Sequence, residues 1–400
     1  MSRRGSLDAV VVGAGVVGAT AALALARDGR RVALVEAREP MPWRAEAADL
    51  RVYAFAPDNA ALLDSLGVWS QVLAARAQPY RHMRVWDAGG GGELSFHADD
   101  LGRECLGWIV ENAVLVDRLW QALVAEPLVE RYCPDQVDSL ETEDDGAVLT
   151  LASGSRLRAR LVVAADGAGS ALRQLSGLQV ASHDYRQRGL VAYVATERRH
   201  DDTAWQRFLP TGPLAFLPCA DDALPGSAPG CVSSIVWTLP DAEAERLLAA
   251  SDADFLRELG RAFDATLGEV IAASSRAAFG LRRQLANDYV AGRVVLAGDA
   301  AHAVHPLAGQ GVNLGLRDVA CLRRLVGEAG TRDIGAAHRL ARYQRERRSD
   351  DTLSAFAFDA VNRVFSNDAL LPTLLRGRLL GLAGALPPVG RALWRHAAGL

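Results

Sequence analysis

The stretch Ala9-Val10-Val11-Val12-Gly13-Ala14-Gly15-Val16-Val17-Gly18 decides how this chain is read. Ala9 to Val12 has the unbroken apolar character of a strand covered on both faces. Three glycines in the spacing GxGxxG follow it directly, and the apolar helical run Ala19 to Ala26 follows them. Each glycine meets a different steric demand: a tight turn, close approach of backbone to a pyrophosphate, and close packing of helix on strand. Arg31-Val32-Ala33-Leu34-Val35 reads as the next strand and ends at Glu36. That is the distance at which a carboxylate accepts from an adenosine ribose hydroxyl. A bare glycine motif is weak evidence, but in this strand–helix–strand–acid setting it marks a dinucleotide-binding unit. Gly13, Gly15, Val16, Val17, Gly18 and Glu36 are its candidate contacts.

A second turn of this kind lies near the other end, at Gly298-Asp299-Ala300-Ala301-His302-Ala303-Val304-His305-Pro306-Leu307-Ala308-Gly309-Gln310-Gly311-Val312-Asn313. The apolar run Val294 to Ala297 delivers Asp299, whose carboxylate can accept from sugar-like hydroxyls. The backbone N–H groups of Gly311, Val312 and Asn313 open the helical run Val312 to Val326, where the positive end of a helix favours negative charge. Alone, this stretch is also readable as a plain strand–loop–helix connector. Between the two, Arg160 to Ala165 reads as a strand closed by Asp166-Gly167-Ala168-Gly169-Ser170. Asp-Gly is ordinary turn chemistry, so Asp166 has a simple capping role open to it. Three strand-to-glycine turns in one chain favour a shared nucleotide site.

The chain has 400 residues, half of them hydrophobic, enough for two packed domains. A formal net charge of -4 and the absence of any polybasic run leave no footprint for nucleic acid. All the positive charge is arginine; there is no lysine, which excludes any mechanism that needs a catalytic one. The five cysteines, Cys105, Cys133, Cys219, Cys231 and Cys321, have neither disulfide-framework nor metal-ligand spacing. They fit a reduced, cytoplasmic setting, and no metal site is expected. Arg3 and Arg4 precede an apolar stretch, yet the glycine pattern inside it argues against a cleaved leader. No segment reaches the roughly 18 uninterrupted apolar residues of a membrane-spanning helix.

The three turns imply an α/β fold whose Rossmann-like nucleotide domain is discontinuous, built from residues 1–78, 106–180 and 290–330. Residues 79–105 and 181–289 form an inserted substrate domain, and 331–400 a C-terminal helical region. Met83 to Trp86 and Leu94 to Phe96 flank the glycine run Gly89 to Gly92 as a hairpin. From Tyr185 to Trp237 apolar and polar residues alternate with period two, as in an antiparallel sheet with one face covered. Tyr193, Trp205, Phe208 and Phe216 lie there as candidates for an aromatic substrate pocket or for core. Asp221 to Gly230 reads as a flexible loop and Asp241 to Leu267 as helical. In the tail, Arg376, Arg378, Arg391 and Arg395 interleave with leucines. That pattern suits a helical cap and an amphipathic membrane surface equally.

Together the three motifs resemble those of the class A flavoprotein aromatic hydroxylases. More narrowly, the chain is similar to the ubiquinone-biosynthesis hydroxylases. The matching segments include Asp49-Leu50-Arg51-Val52-Tyr53-Ala54-Phe55-Ala56-Pro57, Leu66-Gly67-Val68-Trp69, Val110-Glu111-Asn112, Leu119 to Leu123, His305 to Asp318, and Val364-Phe365-Ser366-Asn367. The likeness runs from about Asp8 to the C-terminus, but from about His183 to Ala278 it holds only in general character. It therefore fixes the chemistry more firmly than the substrate. The resemblance implies FAD as cofactor, NADH or NADPH as transient reductant and molecular oxygen as co-substrate. A flavin hydroperoxide would hydroxylate the aromatic ring of a polyprenylated phenol or benzoquinol of ubiquinone biosynthesis. It also implies a quinone-biosynthesis protein complex and peripheral contact at the inner face of the membrane.

On that resemblance Gly13, Gly15, Gly18 and Glu36 hold the ADP half, Arg51 approaches the pyrophosphate, and Asn112 lies near a second flavin contact. Asp166 bridges the pyrophosphate side and the nicotinamide, Asp299 holds the ribityl chain, and Gly309, Gly311, Val312 and Asn313 face the isoalloxazine. His305 and Pro306 fall beside the flavin as candidate catalytic residues. His302 and His305 are also readable as packed loop residues, and Arg51 as half of a surface ion pair. Two other readings remain open. One is a different flavoenzyme on the same scaffold, such as a prenyl-lipid reductase, a soluble-phenol hydroxylase, an amine oxidase or a flavin-dependent halogenase, a lysine-dependent halogenase being excluded by the absence of lysine. The other is a flavin-binding scaffold without catalysis.

Overall fold

The computed structural model describes residues 7–89, 93–303 and 311–350. Five parallel strands form the centre of one sheet, in the order Val294–Leu296, Arg156–Ala164, Leu7–Val12, Val32–Val35 and Val129–Tyr132. The middle strands are buried almost end to end, which is why their sequences are apolar runs instead of alternating ones. Val16–Arg27 packs between Asn112–Ala125 and Gly311–Gly327. It is apolar on every side and buried along most of its length, so it serves as a core helix. Its one buried hydroxyl, Thr20, donates back to Val16 O at 2.7 Å. The first half of Arg156–Ala164 turns aside to pair antiparallel with Ala147–Leu151, which pairs in turn with Val137–Thr142.

The second sheet runs His302–Ala303, Ala277–Ala286, Val180–Thr196, Val232–Pro240, Gly212–Pro218, Thr203–Leu209, His82–Asp87 and Glu93–His97. It is antiparallel except where Thr203–Leu209 meets His82–Asp87 in parallel. The hairpin pairing of His82–Asp87 with Glu93–His97 is present, while Gly90, Gly91 and Gly92 lie outside the described residues. One face packs Leu190, Val194, Ile235 and Trp237 against Leu247 of the helix Asp241–Ala249 and against Phe255 and Leu259 of the helix Asp252–Ala262, with Phe263 just beyond its end. The sequence reads as one helical stretch here. The chain breaks it at Ala250–Ser251, where Ser251 Oγ accepts from Asp254 N–H at 3.2 Å and starts a new helix.

The opposite face carries Tyr193, Leu217 and Val232 against Ile109, Leu50, Val52 and Ala54. This apolar layer joins the second sheet to a small third one, made of Val52–Phe55, Gly107–Glu111 and Ala77–Tyr80. The period-two alternation thus has a different physical origin from the one read in the sequence: both faces are covered, one by helices and one by this layer. Trp205 and Phe216 belong to the helix-side core, and Phe208 packs with Val85. Phe216 stacks on Phe263 with ring centroids 3.8 Å apart. They are therefore core residues and not pocket lining; only Tyr193 faces the inner layer. The segment Asp221 to Gly230 is likewise braced: Asp221 accepts from Gly230 N–H at 2.6 Å, and Asp222 pairs with the buried Arg76 at 3.1 Å.

A helix over 337–350 returns to the first sheet. Tyr343 donates its hydroxyl to Leu296 O at 2.7 Å, and Gln344 Oε1 accepts from Tyr289 N–H and Val290 N–H. The tail from residue 351 onward, with its leucines and arginines, lies outside the described residues.

Candidate functional site

The parallel strands end at Val12, Val35, Ala164 and Leu296, and a cavity of 480 Å³ opens beyond those ends. This is where open α/β sheets place ligands. The glycines of the first turn divide by what surrounds them. Gly13 has φ +100°, and a Cβ there would lie 2.3 Å from Ala165 O. A Cβ on Gly18 would lie 2.0 Å from Gly13 O. These two are glycine because the fold leaves no room. Gly15 differs: nothing lies within 4 Å of where its Cβ would be, and that open space is the cavity. It also caps the 12-residue helix Val16–Arg27, whose first N–H groups look outward. An empty cradle at a helix N-terminus fits a pyrophosphate, so the residues present suit a dinucleotide.

Glu36 closes one end of the cavity. Its Oε2 accepts from Ala14 N–H at 2.6 Å and Oε1 from Arg38 N–H at 3.1 Å, so the acid also braces the glycine turn. Asp166 lines the wall and caps as well, accepting from Ser170 Oγ at 2.5 Å and Leu172 N–H at 3.2 Å. The capping role read from the Asp-Gly turn is present, and the same residue also lines the cavity. Asp299, in the short turn Gly298–Ala300, lines the cavity with Val16, Val17 and Val312.

Arg51 and Asn112 complete the polar wall, and Asp49 ties them together. Its carboxylate accepts from Arg51 N–H and from Ala113 N–H, each at 3.0 Å, while Asn112 N–H donates to Arg51 O at 2.8 Å. Asp49 O in turn accepts from Tyr193 OH at 2.8 Å, linking this wall to the second sheet. Tyr53, between Arg51 and Asn112, also faces the cavity. Its hydroxyl donates to Asn112 Oδ1 at 3.1 Å, and the Arg51 guanidinium sits 5.5 Å above its ring. Burial pushes the Tyr53 hydroxyl up to about 12, with Arg51 pulling the other way and Asp299 and Asp49 adding to the rise. It is a donor throughout the neutral range.

Behind the Asp299 turn lies a buried charged cluster. Asp318, with no exposed surface, accepts from Gly298 N–H at 2.8 Å, from His302 Nε2 at 2.7 Å and from Arg347 Nε at 2.6 Å. Burial opposes its ionisation, but His302 and Arg347 outweigh that and hold it below the usual carboxylate range. His302 is itself fully buried, so it supports the turn from behind and does not face the cavity. Gly298 adopts φ +61°, where a Cβ would press on Val17.

Most of the candidates meet around one cavity: Gly13, Gly15, Val16, Val17, Glu36, Arg51, Asn112, Asp166, Asp299 and Val312 all line it. Gly18 and Asn313 stand behind it. Asn313 is buried, with Oδ1 accepting from Ala56 N–H at 3.0 Å and Asn59 Nδ2 at 2.9 Å, and Nδ2 donating to Ala54 O at 2.8 Å. Its side chain locks the helix Gly311–Gly327 to the strand Val52–Phe55. Gly311 opens that helix without lining the cavity. His305, Pro306 and Gly309 lie outside the described residues. The sequence reading missed Tyr53, and with it Asp135 and Gln136 at the Glu36 end. Strand alternation held a signal for Tyr53, since Arg51, Tyr53 and Phe55 share a face. None existed for Asp135 and Gln136, which reach the cavity from a loop.

A nucleotide cradle at the ends of a parallel sheet, facing a largely antiparallel sheet across an apolar layer, is the scaffold of the class A flavoprotein aromatic hydroxylases. The crystal structure of p-nitrophenol 4-monooxygenase from Pseudomonas putida shares this fold, with a TM-score of 0.74 at 20% identity over 98% of each chain. The FAD binding domain family matches residues 6–352. The 3-demethoxyubiquinol 3-hydroxylase of Escherichia coli is 38% identical over 381 residues, 94% of each protein. Ubiquinone hydroxylase UbiL of Rhodospirillum rubrum is 38% identical over 396 residues, 98% of this chain and 89% of the relative. The chain belongs to the FAD binding domain family, among its ubiquinone-biosynthesis hydroxylases. It is a FAD-dependent monooxygenase of the kind that consumes NAD(P)H and molecular oxygen.

Proposed function

We propose that this enzyme hydroxylates the ring of a polyprenylated phenol or benzoquinol intermediate of ubiquinone biosynthesis. Similarity over nearly the whole chain to 3-demethoxyubiquinol 3-hydroxylase and to ubiquinone hydroxylase UbiL supports the substrate class. The observation that carries the cofactor placement is the 480 Å³ cavity with open space over Gly15. FAD, when bound, supplies the electron transfer and oxygen activation.

The residues of the chain divide the work of holding it. Gly13, Gly15, Gly18 and Glu36 take the ADP half, with Glu36 as ribose acceptor. Arg51 approaches the pyrophosphate, Asp166 stands on the same side, and Asp299 accepts from the ribityl hydroxyls. Asn112 and the N–H groups of Gly311, Val312 and Asn313 place positive dipole ends toward the ring system. His305 and Pro306, with Gly309, are the candidate groups beside the reacting centre. The apolar layer of Tyr193, Leu217, Val232 and Ile109 keeps water away from the transfer site, as oxygen insertion into a ring requires. The nucleotide domain is then residues 1–78, 106–180 and 290–330, the substrate domain 79–105 and 181–289, and the C-terminal region 331–400. Substrate delivery would come through a biosynthetic complex or a membrane surface.

The test is turnover of FAD-loaded protein with NADH or NADPH, labelled oxygen and a short-chain prenylphenol. We expect the phenol to stimulate reductant consumption and one labelled oxygen atom to appear in the product by mass spectrometry. Reductant consumption that ignores the phenol and releases only peroxide would overturn the hydroxylase assignment for this substrate. Turnover confined to unprenylated phenols would redirect it to soluble aromatic substrates.

A further inference from the structure

Tyr53 occupies a position in the cavity wall that holding a dinucleotide does not by itself require. It lies on the strand Val52–Phe55 and its side chain is almost wholly covered, yet it forms part of the same wall as Arg51, Asn112 and Asp299. Among the described residues, the side chain of Asn112 makes one hydrogen bond, which its Oδ1 accepts from Tyr53 OH at 3.1 Å. The backbone of Asn112 is fixed separately. Its N–H donates to Arg51 O at 2.8 Å, and the next N–H, of Ala113, donates to Asp49 Oδ2 at 3.0 Å. Asn112 is also the first residue of the 14-residue helix Asn112–Ala125.

An asparagine amide is a donor at one end and an acceptor at the other, and the two ends have nearly the same shape. Packing alone therefore does not choose between them; a hydrogen bond does. With Oδ1 held by a hydroxyl, Nδ2 is left to serve the cavity. Arg51, whose guanidinium rests over the Tyr53 ring, and the N-terminus of Asn112–Ala125 add positive potential of the same sign.

We propose that Tyr53 is a positioning residue, whose hydroxyl commits Asn112 to present its amide donor to the electron-rich group of the cofactor. This rests on the assignment of the cavity to FAD. The purpose of such a donor is to favour the reduced, more negative state of the bound cofactor over the oxidised one. Removing the hydroxyl frees the amide to turn its oxygen inward, where it repels the same charge.

The experiment uses full-length protein and two readouts besides turnover: FAD affinity of the apoprotein by fluorescence titration, and the midpoint potential of the bound flavin. Tyr53→Phe keeps the ring and its packing. Loss of one neutral hydrogen bond is expected to weaken FAD binding about five- to ten-fold. Reduced FAD should be weakened about ten-fold more than oxidised, lowering the two-electron potential by about 30 mV. Asn112→Asp keeps an acceptor for Tyr53 and removes the donor, so it should reproduce that shift without touching the ring. In Asn112→Ala protein, Tyr53→Phe should have no further effect, because its action runs through the amide. Additive effects, or an unchanged potential in both single variants, would overturn the proposal while leaving FAD binding intact. Wild-type protein that binds no FAD would instead sink the reading of the cavity, and this inference with it.

Discussion

Gly13, Gly15 and Gly18 share one motif but are glycine for different physical reasons. A methyl on Gly13 or Gly18 would strike backbone at 2.3 and 2.0 Å, whereas one on Gly15 would meet nothing within 4 Å. The motif's spacing and its three different steric demands were read from the sequence because the motif is local; the partner of Gly13 was not, because Ala165 comes from another part of the chain. Substitution should separate the two kinds. Gly18→Ala is expected to destabilise the apoprotein severely, since the helix Val16–Arg27 cannot keep its seat. Gly15→Val should melt within about 0.5 kcal/mol of wild type, as changes away from packed features do, yet lose FAD affinity by well over ten-fold. Thermal melting without FAD and fluorescence titration with it distinguish these outcomes. A Gly15→Val protein that bound FAD normally would move the pyrophosphate away from this turn. Glu36, Asp166 and Asp299 were legible for the same local reason, each sitting where a strand ends. Tyr53 was harder, since its partner Asn112 lies across a sheet and a tyrosine in a strand is usually core.

Among the elements, Gly311–Gly327 shows what periodicity reveals and what it hides. Its apolar face and its glycine start were readable, but Asp318 sits on the buried side among Leu314, Val319 and Leu322. Its partners come from the turn Gly298–Ala300, from His302 and from Arg347, 29 residues further on. Breaking a buried pair from one side leaves uncompensated charge, so Asp318→Asn is expected to cost about 3–5 kcal/mol at neutral pH. The pH dependence has a definite sign. The folded carboxyl is held below its usual range. Its stabilisation is therefore complete above the unfolded value of about 4 and is lost as pH falls through the folded one. The stability gap between wild type and Asp318→Asn should be wide at pH 7 and narrow steadily below pH 4. Denaturant titrations at several pH values measure it; a gap that stayed constant into acid would remove Asp318 from the ionised cluster. The helix-packed face of the second sheet corrects the reading in the other direction. Phe216, a candidate pocket residue, stacks on Phe263. Phe216→Ala should lower stability by about 3–5 kcal/mol, with substrate KM in the surviving folded protein unchanged.

At the scale of the whole molecule, the chain leaves the first sheet for the second and returns twice, and the apolar layer is built between the second sheet and the small third one. The first sheet draws its strands from separated stretches of the chain, and three of them were readable because each ends in a glycine turn. The small sheet of Val52–Phe55, Gly107–Glu111 and Ala77–Tyr80 was not, since its strands are short and their pairing is set by distant register. Arg347 and Tyr343 carry this order to the end of the helix over 337–350, next to the point where the leucine- and arginine-rich tail begins. No helix among the described residues is long and apolar enough to cross a membrane. A long prenyl chain nevertheless needs an apolar path, at about 0.8 kcal/mol for each buried methylene. Interleaved leucines and arginines such as Arg376, Arg378 and Arg391 are the composition that meets an anionic lipid surface. Removing residues 370–400 should therefore depress turnover of long-tailed phenols far more than of short soluble analogues, with FAD content unchanged. Sedimentation with anionic vesicles should fall in parallel. Equal losses on both substrates would make the tail a structural cap, and unchanged vesicle binding would place the lipid contact elsewhere on the protein.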